Sequence, residues 1–179
     1  MRLLGKLKQA GVESHLILSR SGERTAYLEA GWKAADLKAQ ADVWHPVEDI
    51  GARLASGSFQ TAGMVIAPCS INTMSSIAAG IASNLLVRAA DVMLKERRPL
   101  ILLVRETPFH LGHLRAMTAL AEMGAVIMPP VPAFYHQPKT VEDIVDHTLD
   151  RVLDLLGLPA EGAFRWDPSS KPKPDKEQG

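Results

Sequence analysis

Apolar positions recur with two different periods along this chain. Leu3, Leu4 and Leu7 share one face of a helix expected over residues 1–9, which Gly11 can end. Residues 15–18 read as a short buried strand and residues 23–29 as a helix, while 32–50 mix both periods. A short helix is expected over 49–56, closing at Gly57. Residues 64–67 form an apolar run expected to stop at Pro68, as a central strand would. Helices are predicted over 72–82 and 85–97, the second with a polar face. Residues 100–104 give the clearest buried strand, wholly apolar between Pro99 and Arg105. A helix over 110–123 ends at Gly124, a strand covers 125–128, and 129–138 is a rigid Pro-rich loop. Thr140 caps a last helix reaching about residue 156, with Glu142 and Asp143 in its first turn.

Strands alternating with helices predict an α/β domain whose doubly wound parallel sheet is covered on both faces. Such sheets hold ligands beyond the carboxyl ends of their strands. That directs attention to Ser19, to Pro68–Thr73, to Arg105 and Glu106, and to residues 129–135. Domains of this class open on a strand and a Gly-rich turn. This chain opens on a helix, so the usual first strand is expected to be lacking.

Composition narrows the class. A chain of 179 residues fits one domain, expected over 1–160, followed by a tail over 161–179 that is Pro/Lys/Ser-rich from 167 and expected to be disordered. Twenty basic residues balance twenty acidic ones, which argues against a nucleic-acid binder relying on global basicity. No apolar run approaches the roughly 18–20 residues needed to span a bilayer. Cys69 is the one cysteine, so no internal disulfide can form, and a cytoplasmic setting is expected.

Several residues could carry chemistry. Pro68-Cys69-Ser70-Ile71-Asn72-Thr73-Met74-Ser75-Ser76 joins a strand to a helix, where hydroxyls and free amides suit a phosphate or the polar edge of a flavin; an ordinary N-cap is the alternative. Arg88 and Lys95 are seven apart and share a helix face, which favours a phosphate if that face lines a pocket. A solvated face is the alternative, and Arg97 and Arg98 fit it. Arg105 and Glu106 end a strand, where an anion-binding Arg and an acid–base Glu compete with a structural pair. Cys69 sits near a helix start that can lower a thiol pKa, although buried filler fits it better. His110 and His113 suit a cap or the core better than a metal, since no third ligand is evident.

These residues resemble the flavin prenyltransferases, the UbiX-like family. The resemblance is carried by Ser58-Phe59-Gln60-Thr61, Pro68-Cys69-Ser70 through Thr73, Arg88-Ala89-Ala90-Asp91-Val92, Lys95-Glu96-Arg97-Arg98-Pro99-Leu100, Arg105-Glu106-Thr107-Pro108, His113-Leu114 and Met128-Pro129-Pro130 through Tyr135. It runs from about residue 12 to 156.

The resemblance implies a flavodoxin-like (Rossmann-like) fold and a homododecamer built from trimers. It implies an enzyme that joins the dimethylallyl group of dimethylallyl phosphate to N5 and C6 of reduced FMN, without a metal. Prenylated FMN then passes to a UbiD-type decarboxylase, often in ubiquinone biosynthesis. It further implies that Ser19, Ser70, Ile71, Asn72, Thr73 and Arg105 contact FMN. Arg88, Lys95, Tyr135 and Arg151 would hold the prenyl phosphate, some from a neighbouring subunit, with Lys95 and Glu106 the catalytic pair and Glu106 moving a proton. Members begin with a strand and a GxSGAS-type turn; here Met1-Arg2-Leu3-Leu4 matches the helix that follows it, so the true start is expected upstream. Two alternatives stand beside this reading: a related FMN-dependent decarboxylase of a cysteine-derived thiol, which has no use for the four phosphate-holding residues, and a non-catalytic FMN-binding subunit.

Overall fold

A computed structural model of the protein describes residues 1–160 and 162–165. Among them seven α-helices alternate with five strands: α1 (Arg2–Gln9), β1 (His15–Ile17), α2 (Arg20–Ala30), α3 (Ala34–Gln40), β2 (Val43–His45), β3 (Met64–Cys69), α4 (Ile71–Ala78), α5 (Leu85–Lys95), β4 (Leu100–Val104), α6 (Leu111–Glu122), β5 (Val126–Ile127) and α7 (Val141–Leu155). Of the tail expected over 161–179, residues 161 and 166–179 lie outside the described residues.

All strand pairing is parallel. β1 pairs with β2, and β4 lies between β3 and β5 in a second ladder. The two ladders share a core, because Ile17 of β1 and Met64 of β3 pack on the same cluster of Leu54, Leu85 and Ala89.

β4 shows why its sequence is wholly apolar. Leu100, Leu102 and Val104 face Met74 and Ile77 of α4, Val92 and Met93 of α5 and Leu120 of α6. Ile101 and Leu103 alternate to the other face, against Val152 of α7 and Leu3 of α1. Every side chain of β4 is buried, as a doubly covered parallel strand demands. α1 is fastened to α7 by charge as well: Arg2 pairs with Asp146, and Lys6 Nζ lies 2.6 Å from Asp150 Oδ1.

Two expectations fail locally. β3 does not stop at Pro68 but continues to Cys69. The ladder shifts register between Ile66 and Cys69, and at such an irregularity a residue without an N–H is tolerated. Residues 49–56 form turns and a single 3-10 turn at Arg53–Ala55 rather than a helix. There the Asp49 carboxylate accepts the Gly51 amide at 3.2 Å, a local bond that competes with helix formation.

Candidate functional site

The carboxyl ends of the strands form a polar ridge. Beyond β1, Ser19 caps α2, its Oγ accepting the Gly22 amide at 3.0 Å. Beyond β3, Ser70 caps α4: Ser70 Oγ accepts the Thr73 amide at 3.2 Å and donates to Thr73 Oγ1 at 3.1 Å. Ser70, Ile71, Asn72 and Thr73 are thus one turn, with hydroxyls gathered at the positive end of a helix.

Arg105 joins this turn. Its amide donates to the Cys69 carbonyl at 3.1 Å, holding the end of β4 against the end of β3. Its guanidinium lies 2.9 Å from Glu29 Oε1 near the end of α2. The structural Arg105–Glu106 pair is therefore not what forms. Glu106 is exposed and accepts the Thr107 amide at 2.9 Å. Both residues line an open cleft of about 670 Å³ with Phe109 and the Pro129–Pro132 loop, which leaves the Glu106 carboxyl accessible to a ligand.

Cys69 takes no part as a nucleophile. It is buried, and desolvation pushes its thiol up to about 12. Burial overrides the nearby helix start.

The expected phosphate-holding residues fall into two groups. Arg88 and Lys95 lie two turns apart on α5, with Arg88 2.7 Å from Asp91 and Lys95 2.7 Å from Glu96. Arg151 on α7 pairs with Asp154 at 2.8 Å, and Arg165 grips the same carboxylate at 2.5 Å. Tyr135 Oη lies 2.8 Å from His147 Nε2, one turn before Arg151. Each of the three cations thus holds a carboxylate, Arg151 sharing Asp154 with Arg165. The Lys95 hydrogen bond keeps the Glu96 carboxyl below the usual range, and that of Arg165, then its charge, does the same for Asp154.

Arg98 corrects the expectation of a solvated arginine. Nη1 donates to the Phe59 carbonyl and Nη2 to the Gly57 carbonyl, both at 2.6 Å. His110 is the N-cap of α6, its Nδ1 accepting the Gly112 amide at 3.0 Å. Among the described residues no group of three or more His, Cys, Asp or Glu side chains could hold a metal ion. Glu29, Glu96, Arg98 and His147 all bear on the expected site, and sequence reading missed each of those roles. None of the four had a local signal: adjacent helical residues do not face each other, and the other partners lie 12 or more residues apart.

Parallel strands covered by helices on both faces define a doubly wound α/β protein, and residues 1–153 match the family described as Flavoprotein. Within that class the chain belongs to the UbiX-like flavin prenyltransferases. It is 52% identical over 166 residues to Flavin prenyltransferase UbiX of Thauera aromatica, a match covering 93% of this chain and 86% of that relative. The solved structure of AnUbiX (PadA1) in complex with FMN and dimethylallyl pyrophosphate is similar with a TM-score of 0.91 and 42% identity, covering 93% and 88% of the two chains. A dodecameric FMN-dependent Ubix-like decarboxylase from Escherichia coli O157:H7 is similar with a TM-score of 0.89 and 47% identity, covering 93% and 90%. The expected family and flavodoxin-like α/β fold are both borne out.

Proposed function

We propose that the chain is a flavin prenyltransferase that joins the dimethylallyl group of dimethylallyl phosphate to reduced FMN. The observation that carries this reading is the 52% identity to a flavin prenyltransferase along most of both chains. Reduced FMN supplies the nucleophilic ring atoms. The protein's part is to hold two reactants in register and to stabilise charge as the phosphate departs.

The flavin seat is the Ser70–Thr73 turn with Arg105, Ser19 contributing from the end of β1. The gathered hydroxyls and the helix start fit an anionic or polar flavin edge. Arg88, Lys95, Tyr135 and Arg151 hold the donor phosphate. To do so Arg88 and Arg151 exchange their carboxylates for phosphate oxygens, a swap that suits a multiply charged anion, while Lys95, with three N–H donors, keeps Glu96 and binds phosphate as well. Glu106, exposed in the cleft and anchored at one oxygen by the Thr107 amide, keeps its other oxygen for a proton.

Subunits assemble as a homododecamer, so that residues on α5 and α7 of different copies complete one donor site. Prenylated FMN passes to a UbiD-type decarboxylase in ubiquinone biosynthesis or aromatic-acid decarboxylation. No helix among the described residues is long and apolar enough to cross a membrane, and a cytoplasmic setting is consistent with this. The test is anaerobic incubation with reduced FMN and dimethylallyl phosphate, followed by the mass of the bound flavin. Added prenyl mass supports the reading; a flavin of unchanged mass refutes it.

A further inference from the structure

We propose that Glu96, Gly57 and Arg98 position the Lys95 ammonium, a device that deepens the reading of Lys95 as a donor-phosphate ligand and rests on it. Lys95 is the last residue of α5 and Glu96 its C-cap. Successive residues on a helix point in different directions, so a lysine and the glutamate after it do not meet by default. Here they do, with Lys95 Nζ 2.7 Å from Glu96 Oε1. Something must steer the Glu96 side chain.

Gly57 does this. Its backbone lies so close that an added Cβ would sit 2.0 Å from Glu96 Oε1, 2.6 Å from Cδ and 3.0 Å from Cγ. A glycine here leaves the space that the carboxylate fills. Gly57 is in turn held by the Arg98 fork, which takes the Gly57 and Phe59 carbonyls at 2.6 Å each. Arg98 is aimed at that loop by the turn closing α5: Arg97 adopts a positive φ of 55°, and the Arg98 amide returns to the Met93 carbonyl at 2.8 Å. Phe59 is further fixed beneath the Arg53 guanidinium, 5.4 Å from its ring centre, and edge-on to His15. A pinned loop therefore shapes the slot, the slot shapes Glu96, and Glu96 anchors an ammonium on a long flexible stem.

Gly57 gives a test that spares the fold. Its φ is not in the left-handed region, so alanine can adopt the same backbone. The conflict falls on the movable end of Glu96. We expect Glu96→Gln to lower kcat for prenyl transfer about tenfold, since small misplacements of reacting groups carry losses of this order. KM for dimethylallyl phosphate changes little, because losing a negative charge favours the anionic donor while losing the anchor disfavours it. Gly57→Ala lowers kcat by a similar factor, and the double variant is no slower than Glu96→Gln alone, since both act through one side chain. Thermal midpoint and FMN content stay at the parent values.

Lys95→Ala separates the two layers. If it is slow while Glu96→Gln and Gly57→Ala turn over at the parent rate, the positioning inference is wrong and the Lys95 reading stands. Multiplying losses in the double variant break the link between Gly57 and Glu96. Full activity in Lys95→Ala removes both readings.

Discussion

Ser70 has two roles that different substitutions can pull apart. Its Oγ satisfies the Thr73 amide at the start of α4, and in the proposed reading the same hydroxyl meets FMN. Ser70→Ala removes the cap at an exposed helix start, which costs about 1 kcal/mol; glycine at an N-cap costs only a few tenths. For a chain of this size 1 kcal/mol lowers the thermal midpoint by roughly 2–4 °C. A hydrogen bond to a charged partner is worth about 1.5–3 kcal/mol, so losing it raises the Kd for FMN about ten- to a hundredfold. Ser70→Ala is thus expected to lose both midpoint and flavin affinity, and Ser70→Gly flavin affinity alone. The assays are thermal unfolding of the flavin-free protein at one fixed subunit concentration, since assembly shifts the midpoint, and fluorescence titration with FMN. Equal destabilisation by alanine and glycine would refute the capping argument. An unchanged Kd in Ser70→Gly would remove Ser70 from the flavin seat.

Three further outcomes are expected. Glu106→Gln keeps an acceptor for the Thr107 amide, so the fold holds while prenyl transfer slows by about 10²–10⁴, the usual worth of a positioned acid–base group; parent-level turnover rules out the proton-transfer role. Cys69, with its thiol pushed up to about 12, resists thiol reagents at pH 8 in the folded protein and reacts on unfolding, as mass spectrometry can follow. Rapid modification of native protein contradicts its burial. His45 is held below the ordinary histidine value first by burial and then by the charges of His15 and Arg53, with Asp49 opposing; burial and then His136 do the same for His147. The unfolded chain then binds more protons than the folded one just below about pH 6.5, so stability is full above that value and falls as the pH drops through it. Urea midpoints across pH 5–8 should show this slope, reduced in His45→Gln; a flat profile refutes it.

The parts of the fold legible in the sequence are those set by local pattern. β4 could be read because it is buried on both faces and its five residues are all apolar. α7 could be read because Thr140 and Asp143 form a reciprocal capping box. β2 could not, since three residues that pair in parallel with β1 across two intervening helices leave no periodic trace. Pro68 misled because a proline inside a strand is admissible at an edge or at an irregularity of the ladder, and sequence displays neither. For the site, motif order made the Ser70–Thr73 turn and the cations visible. The carboxylate of Glu29 that meets Arg105 lies 76 residues away, and the carbonyls that hold Arg98 lie 39 and 41 away. Partners at such separations are products of folding and carry no local signal.

Each expected donor-facing cation was described above as already holding a carboxylate. On the proposed reading this makes the donor site an ion exchanger rather than an open positive funnel. Long-range steering then contributes little to capture, and selection operates by valence. Chloride, with one charge and no fork of oxygens, is a poor replacement for a carboxylate on arginine, whereas a phosphate dianion can replace several at once. Inorganic phosphate is therefore expected to inhibit prenyl transfer at concentrations where chloride has little effect; equal inhibition at equal ionic strength would show a site open to any anion.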